Sequence, residues 1–265
     1  MYLDYWGLDR SPFLNVPSHE VFFESPQHQE AINRLLYVIN HRKGVAMLTG
    51  EVGCGKTTVV RNVAAYLPPG KFEVKMVSNP AVSAVDLIRG ILIQFGLPAK
   101  SPSKSVLLED LRRKLEACAM RNGGAVLVID EAHVINSKST LDELRMLLNL
   151  QADNRFLLTL IMVGQPLLLK KIEVLQALKE RISMKYHLPP LNQENTKKYI
   201  QYRLTRAGSE REIFAGDAIP LIFEYANGVP LRVNNLCDRC FLIGMMNKKQ
   251  SIDAETVKQA VADLG

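Results

Sequence analysis

The 265-residue sequence has no apolar run long enough to cross a bilayer. Its longest, FLLTLIMVGQPLLL at 156–169, is broken by Gly164-Gln165-Pro166 and falls short of the about 20 residues a spanning helix needs. The N-terminus, MYLDYWGLDRSPF, carries Asp4, Asp9 and Arg10 and lacks the apolar centre of a signal peptide. These absences predict a cytoplasmic chain without a transmembrane segment, reaching a membrane only through a partner. Disulfide scaffolding is equally absent, since Cys54, Cys118, Cys237 and Cys240 form no framework. Cys237 and Cys240 make one C-x-x-C, but it lies inside a helical pattern with no second pair or histidine cluster to complete a zinc site. Buried reduced thiols are the expectation. No internal repeat or low-complexity segment is visible.

What is present is an ordinary globular mixture, 47% hydrophobic and 23% charged, with a formal net charge of +6. That excess suits nucleic acid or acidic lipid, and is also common in proteins that touch neither. Short apolar runs read as buried strands at 44–50, 72–78, 125–131, 156–164 and 183–188, with helical periods between them that include 139–151 and 167–182. Strand alternating with helix predicts an α/β fold, a parallel sheet sandwiched by helices. After Pro189-Pro190 the strand signals stop, and four helical stretches follow near 193–207, 217–226, 231–246 and 253–263, the first capped by Asn192 or Thr196. The expected division is an aromatic N-terminal segment and helix at 1–43, a P-loop core at 44–191 and a helical lid at 192–265.

The segment LTGEVGCGKTTVVRN carries the chemistry. Gly50, Gly55, Lys56 and Thr57 satisfy G-x-x-x-x-G-K-[ST] between an apolar strand and a helix, the context in which that spacing binds phosphate. Glycines let successive backbone N–H groups turn inward onto a phosphate, and the helix N-terminus adds its positive end. Gly50, Glu51, Val52, Gly53, Cys54, Gly55, Lys56, Thr57 and Thr58 are therefore the expected phosphate cradle of a nucleotide. In it Lys56 supplies charge to the β- and γ-oxygens and the Thr57 hydroxyl one Mg²⁺ position.

A second anchor is expected in AVLVIDE, where five apolar residues deliver Asp130 to the sheet edge that binds ligands, as a metal-ordering carboxylate. Glu131 follows as general base toward water. Asp130 to His133 spell DEAH, which raises a helicase reading, but the remaining chain is too short for a second motor domain of that type. His133 then reads as a turn residue. Gln165, ending the fourth strand, either orients water near the γ-phosphate or simply makes a turn before Pro166. Arg181 is the candidate cation offered to a neighbouring subunit and Arg232 the candidate reaching back to the nucleotide, each weighed against an ordinary surface ion pair.

In this order the parts resemble the AAA+ ATPases over about residues 25–265. More narrowly the chain resembles the ExeA (general secretion pathway protein A) family, through DYWGLDRSPF, FFESPQHQEAINRLLYVI, TGEVGCGKTT, VLVIDEAH, LDELRMLLNLQ, RFLLTLIMVGQPLL, ERISMKYHLPPL and GVPLRVNNLCDR. The resemblance implies Mg²⁺-dependent ATP hydrolysis, self-association into a ring or filament, and assembly of a type II secretion, pilus or other cell-envelope machine. A sister branch implies the alternative, a DNA-associated ATPase regulating transposition or another DNA transaction. Two departures stand out. Members of the family continue into a transmembrane helix and a peptidoglycan-binding domain, whereas this sequence stops at Gly265, so it is not expected to reach the cell wall by itself. Members also carry arginine directly after the proline of G-x-P, where this sequence has Leu231, with Arg232 one residue and about 100° further round the helix. The N-terminal Tyr5, Trp6 and Phe13 either pack on the ATPase core or, through His28, wall the adenine.

Overall fold

A computed structural model describes residues 2–15, 21–120, 123–152 and 154–265. The chain divides into two compact units: residues up to Gln27 with Glu51–Thr58 and Pro189–Gly265, and His28–Gly50 with Val59–Leu188.

The second of these is the sheet unit. Its five parallel strands are β1 (Val45–Thr49), β2 (Phe72–Val77), β3 (Gly124–Ile129), β6 (Leu158–Gly164) and β7 (Ile182–His187), in the order β2-β3-β6-β1-β7. The three central strands are buried at every residue, as continuous aliphatic runs covered on both faces must be. The outer strands differ: β2 is half-buried throughout, and β7 alternates between half-buried and exposed. One face carries α4 (Ala84–Gln94) and α5 (Lys104–Met120), whose Leu87, Ile88, Ile91, Leu107, Leu111 and Leu115 share a core with Leu127, Ile129, Leu160 and Met162. Ser83 caps α4, and Ser137 caps α6 (Lys138–Leu147), each accepting from a backbone N–H in the first turn.

Two local expectations change. The helix expected through Gln151 stops at Leu147. The chain then makes a two-residue hairpin, β4 (Gln151–Ala152) with β5 (Arg155–Phe156), because Asn154 adopts left-handed φ at the turn and Leu157 N–H returns to Leu150 O at 3.0 Å. The long helix expected over 167–182 is broken into α7 (Leu167–Glu173) and α8 (Gln176–Lys179). Leu175 leaves helical backbone space at the break, which keeps Leu175 and Leu178 buried and throws Val174 outward.

In the helical unit, α9 (Gln193–Arg206), α10 (Ala218–Ala226), α11 (Pro230–Met246) and α12 (Ala254–Leu264) enclose a core in which aliphatic side chains surround Trp6, Phe13, Tyr199, Phe214 and Phe241. Asn192 caps α9, accepting from Asn195 N–H at 2.8 Å. Cys237 and Cys240 are buried on α11. The N-terminal aromatics pack here, not on the sheet. Trp6 in α1 (Tyr2–Trp6) donates its indole N–H to Phe241 O at 3.0 Å, and Phe13 stacks on Phe241 at 5.7 Å between ring centres. The space for the indole comes from Gly244, where a Cβ would lie 2.7 Å from Trp6. Buried Arg203 fixes the same segment by donating to the carbonyls of Pro12 and Leu14 and to Tyr199 Oη, which in turn donates to Asn234.

Candidate nucleotide-binding site

The loop after β1 is shaped by its glycines. Gly53 and Gly55 have φ of 84° and 93°, which residues with a Cβ rarely adopt, and a Cβ on Gly50 would lie 2.7 Å from Leu188 O. The loop feeds α3 (Lys56–Tyr66), whose first residues are Lys56, Thr57 and Thr58. Lys56 is buried and donates its ammonium to Glu51 O at 2.8 Å, and Cys54 N–H also returns to Glu51 O. Glu51 and Val52 are exposed, and Cys54 is buried. Burial pushes the Cys54 thiol pKa up, against the opposing pull of the Lys56 ammonium and, more weakly, of the Arg232 guanidinium. A backbone arc closed by an internal lysine, with no side chain on its three glycines, fits a phosphate group.

In the sheet unit, the strand register sets the carboxylate pair. Thr49 pairs with Gly164, Ile129 with Met162 and Val77 with Ile129. Gly50, Asp130 and Gln165 therefore leave the same C-terminal edge of the sheet, the edge where open α/β sheets bind ligands. Asp130 is 5% exposed and its N–H is held by Val77 O at 2.9 Å. Its Oδ1 accepts the Glu131 N–H at 3.0 Å. Glu131 sits at φ 54°, ψ 32°, a strained left-handed conformation for a residue with a side chain, and its carboxylate is half-exposed. Gln165 is half-buried, with its N–H directed to His133 Nδ1 at 3.3 Å.

The two candidate arginines are placed differently. Arg181 immediately precedes β7 and donates from Nη1 to Leu148 O at 3.4 Å. Arg232 is exposed in the first turn of α11, close enough for its charge to act on Cys54. Leu231, legible in the sequence only as a departure from the usual arginine, donates its N–H to Gly53 O at 3.3 Å, and its Cβ would lie 2.5 Å from a Cβ on Gly53. The apolar residue in the usual arginine position thus rests on the phosphate loop itself. Sequence reasoning gave no site role to Lys171, which donates to the carbonyls of His133 and Ile135. The only signal for either was position: a leucine after G-x-P, and a lysine six residues after Gln165.

A parallel sheet in this strand order, with a glycine-lined loop after β1 and an Asp-Glu turn after β3, defines a P-loop nucleotide-binding protein of the AAA class. Residues 39–172 match the family model described as AAA domain, and the chain belongs to that family. Over 246 residues it is 35% identical to general secretion pathway protein A of Aeromonas hydrophila, an alignment covering 91% of this chain and 44% of that protein. The chain thus spans less than half the length of that relative. Among solved structures, its fold is similar to the Aeropyrum pernix ORC2 protein in ADPNP-ADP complexes (TM-score 0.72, 17% identity, 96% of this chain and 71% of that one). It is likewise similar to Drosophila ORC bound to DNA (TM-score 0.73, 18% identity, 100% of this chain and 66% of that one). Among the described residues no helix is long and apolar enough to cross a membrane.

Proposed function

We propose that this chain is an ATPase that self-associates into a ring or filament from the cytoplasmic side and drives assembly of a cell-envelope machine of the type II secretion or pilus class. The enzymatic part is supported by two local structures, each in its own unit: a loop that Gly53 and Gly55 leave open to phosphate, and a strained Glu131 beside a buried Asp130. The envelope part rests on the relation to general secretion pathway protein A.

In this reading the N–H groups of Glu51 to Thr58 bind the phosphate chain and Lys56 neutralises its β- and γ-oxygens. Thr57 and Asp130 are the proposed Mg²⁺ donors; when bound, the ion would neutralise charge between the phosphates. Glu131 accepts a proton from the attacking water, and Gln165 orients that water. Arg232, with its charge near Cys54, stabilises the bound nucleotide. Arg181 is offered to a neighbouring subunit, so that nucleotide completes a subunit interface and loss of the γ-phosphate releases it.

The net charge of +6 favours one other reading, a DNA-associated ATPase. Three lysine pairs bear on it, Lys170-Lys171, Lys197-Lys198 and Lys248-Lys249. In each, one member is already engaged: Lys171 with backbone carbonyls, Lys198 with Glu194 at 2.6 Å and Lys249 with Asp253 at 2.8 Å. This depletes the basic surface those pairs offer and favours the envelope reading. ATP turnover by purified protein, with and without duplex DNA at low and moderate salt, separates the two, with Glu131→Gln as control and light scattering following assembly. DNA-stimulated turnover that fades with salt selects the DNA reading. Turnover and ATP-dependent assembly indifferent to DNA select the envelope machine. No turnover in any condition removes the ATPase assignment.

A further inference from the structure

Glu131 is followed by a single 3-10 turn, Ala132–Val134, in which Ala132 and His133 are buried and His133 is the one with a polar side chain. Its imidazole Nδ1 lies 3.4 Å from Glu131 Oε2 and also accepts the Gln165 N–H at 3.3 Å. The closeness depends on Gly164, where a Cβ would lie 3.2 Å from the His133 backbone N and 3.3 Å from Nδ1. Lys171 in α7 fastens the other side. Its ammonium donates to the carbonyls of His133 and Ile135 and to Asn136 Oδ1, three acceptors of which none is ionised. The junction between β6 and α7 is thus tied twice to the turn that carries Glu131, once through a ring nitrogen and once through backbone.

A ring nitrogen holds a lone pair or a proton, never both. With the lone pair on Nδ1, the Gln165 N–H is satisfied and the Glu131 carboxylate faces electron density that cannot bind it. With the proton on Nδ1, taken from water as Nε2 gives its own back, the ring donates to Glu131 and confronts the Gln165 N–H donor to donor. The two partners compete for one atom.

We propose that His133 is a positioning residue for hydrolysis: its Nδ1 seats the Gln165 amide, and with it the side chain that orients the water, while leaving Glu131 free, and holds the carboxylate when that amide withdraws. This rests on the reading of Glu131 as general base. Displacement at the end of β6 thereby reaches the base without any movement of β3, and the imidazole, earlier taken as a turn residue, becomes the link.

The test combines kinetics with a direct probe of the ring. His133→Ala should lower kcat between about ten- and a hundredfold with KM within about twofold, the signature of a misplaced reacting group with intact binding. His133→Asn, whose side-chain oxygen can accept the same amide, should recover most of the loss. In ¹⁵N spectra of histidine-labelled protein, the His133 Nδ1 resonance should shift between wild type and Glu131→Gln. Unchanged kcat in His133→Ala, a loss that asparagine does not rescue, or an unmoved resonance each overturns the proposal. The hydrolysis reading fails separately, if Glu131→Gln keeps wild-type turnover; the resonance needs no turnover and still tests the shared nitrogen.

Discussion

The sheet unit and the helical unit are held together by different chemistry. The sheet unit has a core dominated by leucine, isoleucine and valine, buried residue after residue along three strands, with Asp130, Glu131 and Gln165 following the strands at one edge. The helical unit packs aromatic rings around Phe241 and threads a buried polar chain from Arg203 through Tyr199 to Asn234. Burial alone secures the first, because aliphatic side chains carry nothing that must be satisfied. The second depends on every member of its network finding a partner, so it is specific in arrangement and fragile to single changes. The division follows the proposed chemistry too: the sheet unit carries the carboxylates and Gln165, and the helical unit the phosphate loop with Leu231 and Arg232.

The largest effect expected is on that chemical division. Glu131→Gln should cut turnover by at least about a hundredfold while a fluorescent ATP analogue still binds, since the loss is of a proton acceptor. Lys56→Ala should instead abolish binding itself. Equal loss of binding in both variants would show that the two groups do not divide the labour.

Stability sharpens the comparison next. Leu160→Ala, in the fully buried centre of β6, should cost about 2–5 kcal/mol by chemical denaturation, through lost burial and the cavity left behind. Arg203→Met should approach that cost, about 2–4 kcal/mol, although it deletes no apolar contact, because Tyr199 and two backbone carbonyls lose their donor. A cost under about 0.5 kcal/mol for Arg203→Met would mean that the network adds nothing to the aromatic core. Gly53→Ala tests the loop: strain at φ 84° and collision with Leu231 should weaken nucleotide binding about tenfold or more. Leu231→Gly in the same chain, which removes the Cβ at 2.5 Å, should return part of that loss, and complete failure to do so would place the damage in the backbone alone.

The sheet was legible because its signals are local. Continuous apolar runs bounded by glycine and charge mark β1, β3 and β6 directly, and the G-x-x-x-x-G-K-T spacing marks the loop without any knowledge of the fold. The four helices of the helical unit were equally plain, since each carries its own period and stop. The destination of the N-terminal aromatics was not. Trp6 packs beside Phe241, 235 residues away in sequence, in space left by Gly244, and nothing near Trp6 announces that partner. His133 and Lys171 stayed hidden for the same reason, being ordinary residue types that acquire meaning only when β3 and β6 lie side by side. Leu231 was noticed as a departure, but its contact with Gly53 depends on a pairing of distant segments.

Alkaline and acid limits of the helical unit give the smaller effects. Burial pushes the Cys240 thiol up to about 12, from an ordinary value near 9, and raises Cys237 as well. A raised thiol means the folded unit keeps a proton that the unfolded chain gives up, so stability is full below pH 9 and declines from there toward about pH 12. Cys240→Ala should flatten that decline as followed by helical circular dichroism against pH, and an unaltered slope would assign it to other groups.

The acid limit is set at the start of α12. Asp253 accepts from Thr256 N–H at 2.9 Å and Thr256 Oγ1 at 2.7 Å, and pairs with Lys249 at 2.8 Å. Lys249 first, then the Thr256 donors, holds its carboxyl well below the ordinary carboxylate range. The sign is opposite to that of the thiols: this contribution is complete above the ordinary value of 3.8 and is lost as pH falls further. Asp253→Asn keeps a capping oxygen but loses the ion pair, so it should cost no more than about 0.5–1 kcal/mol at neutral pH, and Asp253→Ala about 1 kcal/mol or slightly more. Because the site is solvent-facing, moderate salt should remove most of the difference between wild type and Asp253→Asn, while Asp253→Ala stays less stable by the share of the cap. Differences that vanish together in both variants would make the ion pair, and not the cap, the reason α12 begins at Ala254.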